Sequence, residues 1–406
     1  MRDDRRATLQ AAMVEAVPVP IPAKPRLDSV DFLRGAVMVI MALDHVRDFF
    51  SIYHNDPLDF THTTAALFLT RWITHYCAPV FVFLAGTGAF LSGSRGKTKP
   101  ELAKFLWTRG LWLIVLEFTI IRFGWLFNLD YRLSFGQVIW AIGVSMIALS
   151  GLIYLSLRTI SIFGVSMIVL HNALDSINPG SLGIFGWPWQ ILHSGGVIFI
   201  PPNYVYVALY PLIPWIGVMA VGYAFGSILI KEQAVRRKLL LRIGLGLIVG
   251  FVILRATNLY GDPVPWSGQK NFLFTLFSFI KCEKYPPSLL YLCMTLGPAI
   301  AVMPALEKLK GKFASVIITY GRVPMFYYLL HIFVAHALAV VVAYATLHDA
   351  RFLFTNVPPG SWGIEFGFSL PIVYLIWMSI VASLYPACRW FAELKRRRKD
   401  VWLSYL

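Results

Sequence analysis

The chain has 406 residues, 57% of them hydrophobic and only 14% charged, where soluble domains carry about 25% charged residues, so it has too little polar surface to cover a globule in water. The formal net charge of +15 would otherwise raise nucleic acid as a partner. The basic residues instead lie between apolar runs, which sets that partner aside and points to the lipid bilayer.

Residues 1–25 start with MRDDRRATLQ and continue as AAMVEAVPVPIPAKP, with Glu15 and four prolines. No apolar stretch and small-residue cleavage site follow, so a basic mobile tail is expected here and not a secretory signal. Apolar runs then recur near 30–52, 65–91, 104–125, 135–157, 159–174, 204–230, 239–257, 288–306, 322–346 and 368–391. A helix needs about 20 such residues to cross the hydrocarbon. The expected fold is all-α: a polytopic transmembrane helix bundle of about ten spans, one domain over 26–392, with a basic C-terminal tail over 393–406. Segment 271–280 (NFLFTLFSFI) has about half the spanning length and is expected as an interfacial or re-entrant helix. The four cysteines, Cys77, Cys282, Cys293 and Cys388, have no metal-type spacing and are expected as buried, unpaired thiols.

The loop charges give these runs a direction. The first loop holds Asp56 and Asp59 and no Lys or Arg, while the second holds Arg95, Lys97 and Lys99. The stretch 175–203 has no Lys or Arg, whereas KEQAVRRK, EKLKGK and ELKRRRK follow the sixth, eighth and tenth runs. Basic residues are retained in the cytoplasm, so both termini are expected there, in a multi-pass protein of the plasma (inner) membrane. The loop with Lys270, Lys281 and Lys284 goes against the pattern.

Ionisable groups inside spans are expensive and mark candidate functional positions. The first span reads VDFLRGAVMVIMALDHVRDFF. Arg34 and His45 are eleven residues apart, close to three turns, so they share a face about 16 Å apart. Asp31 and Asp48 extend that stripe, and Asp44 and Arg47 flank His45. The second span carries Arg71 and His75; the ninth carries Arg322, His331 and His336. With alternating directions His45, His75 and His331 are expected near mid-membrane, where they can share a cavity. The third span adds Arg109, Glu117 and Arg122, the last two expected as a pair. His171 and His336 are expected as packing residues. Histidine exchanges a proton near neutral pH, and a neighbouring carboxylate can fix its tautomer. Arg34 suits either a phosphate or an anchoring role. No Cys or acidic pattern accompanies the three histidines, so no metal is expected.

At these residues the sequence resembles the heparan-α-glucosaminide N-acetyltransferase catalytic family. SVDFLRGAVMVIMALDH and APVFVFLAGTGAF carry the resemblance most specifically. YPLIPWIGVMAVGYAFG, KYPPSLLYLCMTLGP and YGRVPMFYYLLH follow in the family's order, over roughly 26–345. Arg34 and Gly35 fall on the family's first-helix Arg-Gly. Pro79, Phe81, Val82, Phe83 and Gly86 fall on its second-helix pattern, and Gly321 and His331 on a late Gly and His. His45 stands where animal members have Asn; their proposed catalytic His lies in the following loop, near His54 and His62.

The resemblance implies transfer of an acetyl group from cytoplasmic acetyl-CoA to an acceptor on the opposite side, a sugar or other amine or hydroxyl, with a glycan as one candidate. The roles expected on that basis are Arg34, Arg109 and Arg322 for coenzyme A, and His45, Asp44, His75 and His331 for catalysis, His45 as base or acetyl carrier and Asp44 as its orienting partner. The competing readings are a proton-coupled transporter relaying protons through Asp44 and the histidines, and a membrane protein whose polar residues only satisfy helix contacts. No internal repeat supports the transporter. The aromatic loops GWPWQILHSGG and YGDPVPWSGQ fit either sugar stacking or interfacial anchoring. The sequence leaves the oligomeric state open.

Overall fold

The first helix, α1 (Asp28–Phe50), carries Asp28 and Asp31 in its first turn and Arg47 in its last, the arrangement that complements the helix dipole. It belongs to a computed structural model that describes residues 27–398 and 400–405; the tail expected over 1–25 lies outside them. Next, α2 (Ala65–Ile73) is capped by Thr64 and passes through a 3-10 turn at Thr74–Tyr76 into α3 (Cys77–Gly93). Pro79 explains the turn. It has no N–H to bond the carbonyl four residues back, and that freed carbonyl, on His75, accepts from the Tyr291 hydroxyl at 2.7 Å.

A capping box of Thr98 and Glu101 starts α4 (Lys99–Leu116). A π-helical turn at Glu117–Ile121 and the short α5 (Arg122–Leu126) complete that segment. Then come β1 (Leu133–Gly136), α6 (Val138–Leu152) and α7 (Leu157–Leu170), the last continued by a 3-10 turn at His171–Leu174. After β2 (Gly196–Ile200) and β3 (Tyr204–Ala208) follow α8 (Leu212–Leu229), α9 (Gln233–Thr257), α10 (Phe272–Ile280), α11 (Leu289–Leu306), α12 (Lys312–Arg322), α13 (Pro324–Leu347) and α14 (Leu370–Arg397).

Every apolar run contains a helix, with two boundary corrections. The run near 204–230 begins as a strand: YVYVA alternates β-branched and aromatic residues, and the helix starts only after Pro211. The run near 135–157 likewise begins in β1. The three strands form a small sheet ordered β1-β3-β2, with β1 parallel and β2 antiparallel to β3. The fold is thus mostly helical, with a minor sheet that the all-α expectation did not include. Segment 271–280 is a nine-residue helix, α10.

Seven helices among the described residues are long and apolar enough to cross a membrane: Ala65–Gly93, Leu157–Leu174, Leu212–Leu229, Gln233–Thr257, Leu289–Leu306, Pro324–Leu347 and Leu370–Arg397. The other three expected spans are helical but differ in character. Helix α1 holds Asp28, Asp31, Arg34, Asp44, Arg47 and Asp48; α4 holds Lys99, Glu101, Lys104 and Arg109; α6 has 15 residues. Most of α1 is buried, because α12, α13, α14, α3 and α11 pack around it. The closest approach is at Gly35 and Gly321. A Cβ on Gly35 would lie 1.9 Å from the Ile317 carbonyl oxygen, and one on Gly321 1.8 Å from that of Asp31. Small residues that let helix backbones touch are the usual device where apolar burial cannot drive association. All four cysteines are free and buried.

Gly321→Ala is therefore expected to lower the thermal midpoint of the detergent-solubilised protein, at a cost of about 1–3 kcal/mol or more. Gly250→Ala, where the new Cβ meets nothing within 4 Å, is expected to leave the midpoint unchanged or slightly raised.

Candidate active site

Helices α1 and α13 bring His45 and His331 into direct contact. His45 Nδ1 lies 2.7 Å from His331 Nε2, and the two rings are stacked at 4.9 Å with 12° between their planes. His331 Nδ1 sits 2.9 Å from the Tyr327 carbonyl oxygen. A carbonyl only accepts, so Nδ1 of His331 carries its proton, and neutral His331 presents Nε2 as an acceptor. His45 therefore donates from Nδ1, which leaves Nε2 of His45 as its unprotonated nitrogen. Trp125 and Tyr328 close around the pair, with ring centroids 4.8 and 6.0 Å from that of His45.

Asp44, expected to orient His45, makes its ion pairs with Arg47 at 2.9 Å and with Arg71 from α2. Arg47 also reaches Asp48 at 2.6 Å. This lattice keeps Asp44, Arg47 and Asp48 of α1 paired, the condition for burying an ion without a large desolvation cost. Beside it sits Lys284, a residue sequence reasoning did not single out for the site. It is 7% exposed and lines a small cavity of about 40 Å³ together with Met41, Asp44, His45, Thr74 and Tyr210. The available signal was its place in the one loop whose charges contradicted the rest. The other two lysines of that loop are held locally: Lys281 donates to the Leu58 carbonyl at 2.8 Å, and Lys270 sits 3.9 Å above the Phe274 ring.

A second, larger cavity of about 270 Å³ shares Met41, Phe81 and Val138 with the first. Arg34 and Arg109 line it, and Tyr328 brings it to the histidine pair. Its remaining wall is apolar, including Met38, Leu84, Leu106 and Ile139. Arg34 also holds Asp31 and donates to the Gly321 carbonyl, so its guanidinium is fixed where α1 crosses α12. At the same end Tyr405 bonds Thr108 at 2.7 Å.

The remaining expected residues lie elsewhere. His75 is 1% exposed, packs edge-on against Tyr291 at 5.5 Å and lines neither cavity; Pro79 and the Tyr291 bond fix that placement. Arg322 is half-exposed and faces Asp28 and Asp31 at 3.3 and 3.7 Å, outside the cavity. His62 is exposed and bound to Asp59 at 3.0 Å, and His54 is exposed. His336 is buried between the carbonyls of Gly124 and Leu353, each at 3.0 Å. Glu117 and Arg122 do not pair, contrary to expectation. Glu117 takes the Trp140 N–H at 2.9 Å, one of the free donors at the start of α6. Arg122 spends its donors on the carbonyls of Leu133, Asn128 and Asp130 and on Asn356.

The sequence model of the family described as "Heparan-alpha-glucosaminide N-acetyltransferase, catalytic" matches residues 26–255, more than half of the chain. No curated protein matches the chain.

Removing Arg71 leaves the largely buried Asp44 carboxylate with Arg47 as its one remaining partner. Arg71→Ala is expected to lower stability by about 1–3 kcal/mol, and the double variant Asp44→Leu/Arg71→Met to recover part of the loss; thermal midpoints in detergent check both.

Proposed function

The chain belongs to the heparan-α-glucosaminide N-acetyltransferase catalytic family of membrane acetyltransferases, and on that premise we propose that it moves an acetyl group from acetyl-CoA to an amine or hydroxyl acceptor at two adjoining cavities. The observation that carries this reading is that they share a wall: Arg34 and Arg109 line one cavity, His45 lines the other, and Met41, Phe81 and Val138 line both.

The donor's phosphates and adenosine bind at the Arg34 and Arg109 end, where guanidinium groups suit phosphate. Its flexible arm lies along the apolar wall and delivers the thioester toward Tyr328 and His45. The acceptor enters from the Lys284 side. Nε2 of His45 takes the proton from the acceptor's ammonium-derived amine or hydroxyl as that atom attacks the thioester carbonyl. The carbon–sulfur bond breaks, and the proton passes from His45 to the departing thiolate, giving free coenzyme A and the acetylated acceptor. His331, tied to the Tyr327 carbonyl, holds His45 in the required tautomer and shares the charge that forms on it. Asp44 and the two arginines beside it fix the position of α1, and His75 serves as a packing residue.

The orientation follows from charge. Arg95, Lys97, Lys99, Lys231, Arg236, Arg237, Lys308, Lys310 and Lys312 all connect helices at the Arg34 end, and the positive-inside rule assigns that end to the cytoplasm. All ten expected runs then cross or enter the bilayer, with α1 enclosed by its neighbours and α4 turning Trp107, Leu111 and Val115 outward to the lipid. Both termini face the cytoplasm, the acceptor site faces outward, and the membrane is the plasma membrane. A glycan or amino sugar suits the outer side, where Trp187 is exposed. The reading needs no metal in the transfer step.

Purified protein in liposomes, given radiolabelled acetyl-CoA and a panel of amino sugars, tests the proposal. His45→Ala is expected to cut turnover about 10²–10⁴-fold while acetyl-CoA still binds. Gly88→Leu is the structural control: Gly88 lines the large cavity, and a Cβ there meets nothing within 4 Å. That variant is expected to fold normally and lose acetyl-CoA binding. Failure of the native protein to bind acetyl-CoA, or solute flux driven by a pH gradient without acetyl transfer, would overturn the proposal.

A further inference from the structure

A second cluster of chemistry-bearing side chains lies at the end of the bundle opposite the basic loops, away from the transfer site. His171 and Asp175 come from the turn that ends α7, and His193 from the π-helical turn at Gln190–Ser194. Each offers one ligand atom, and the three atoms lie within 4.8 Å of one another. None was expected to act: His171 was read as a packing residue and the aromatic loop around His193 as an anchor or sugar platform.

The packing reading leaves His171 unexplained. It is 1% exposed, and its ring nitrogens have no well-formed hydrogen bond to a side chain, the backbone of Pro287 being the one polar group facing the ring. A buried imidazole is normally hydrogen-bonded or bound to something. The groups around it are arranged as supports. Asp175 has one carboxylate oxygen held by Asn172 at 2.8 Å, and its other oxygen lies 3.5 Å from His193 Nε2. His193 Nε2 also donates to the His171 carbonyl at 2.8 Å, which leaves Nδ1 as the ring nitrogen with a lone pair for an ion, and Trp189 stacks on the ring at 5.0 Å. Carbonyl and amide partners of this kind fix ring orientation and tautomer in metal-binding histidines. Asp175 is partly exposed, which gives an ion an entry route and room for a water ligand.

We propose that His171, Asp175 and His193 form a binding site for a divalent transition-metal ion of the zinc class. Two imidazoles and one carboxylate, with no thiolate, suit zinc or its first-row neighbours and disfavour calcium and magnesium, which take oxygen ligands. The site is remote from the histidine pair and acts through position. The Asn172 side chain accepts from the Leu289 N–H at 2.9 Å, at the start of α11, and Pro287 lies between that residue and Lys284. The ion would join the end of α7 to the turn at Gln190–Ser194, while Asn172, next to His171, ties that same end to the start of α11.

Full-length, tag-free protein stripped with chelator and titrated with Zn²⁺ or Co²⁺ tests the proposal. One ion per chain, a rise of several degrees in thermal midpoint, and visible Co²⁺ absorption of a low-coordinate site are expected. The double variant His171→Ala/His193→Ala should lose all three. His193→Cys should keep the ion and add a near-ultraviolet thiolate-to-cobalt band, a gain of signal that a misfolded variant cannot give. No stoichiometric ion in the native protein, binding that persists in the double variant, or bound Co²⁺ without the new band in His193→Cys would each overturn it. Failure of acetyl transfer alone leaves these readouts intact, so the two proposals stand or fall separately.

Discussion

The structure depends on one constraint: α1 carries Asp31, Arg34, Asp44, Arg47 and Asp48 into an apolar bundle, and each needs a partner there. Burying an unpaired ion costs several kcal/mol, so the helices around α1 are arranged by what they supply to it. Helix α12 brings Arg322 to Asp28 and Asp31, and α2 brings Arg71 to Asp44. Within α1 itself, Arg34 meets Asp31 and Arg47 meets Asp48. The same demand applies to His45, whose partner is His331. The candidate site is therefore the middle of a pairing scheme that runs the length of the helix.

Backbone devices let the surrounding helices come close enough to serve it. Gly35 and Gly321 permit direct contact between α1 and α12, and Gly86 and Gly222 do the same for α3 and α8, where added Cβ atoms would meet carbonyl oxygens at 2.1 and 2.2 Å. Pro79 removes one helical hydrogen bond, and the carbonyl it frees anchors α11 through Tyr291. Contacts this tight leave space only where side chains are small or absent, and Gly88, Ala85 and Ala89 on α3 supply it. The large cavity is thus a consequence of the same packing that holds α1.

The two polar clusters divide the labour in the proposed scheme. The histidine pair lies where water is scarce, so a proton acceptor there works in a low-dielectric surrounding with its tautomer set by a backbone carbonyl. The His171 cluster lies at the bundle end, open to water through Asp175, where ligand exchange is possible. Between them, the segment from Lys284 to Leu289 is a short physical connection.

Sequence alone determined the membrane character, the helical content of every apolar run and the shared face of Arg34 and His45. Those properties depend on composition and on periodicity within one helix, and both are local. It also brought the family within reach through the residues around Arg34 and Gly35. It did not determine which helix meets that face. Asp44, adjacent in sequence to His45, went to two arginines, while His45 found a histidine 286 positions away. His75, set at a similar depth by counting, was turned aside by the Pro79 kink. The strand in YVYVA needed pairing partners 72 residues earlier, where Leu133 faces Val205. Lys284 and the cavities exist only where several helices converge, so only the tertiary structure decided them, because partner choice is set by packing among helices distant in the chain.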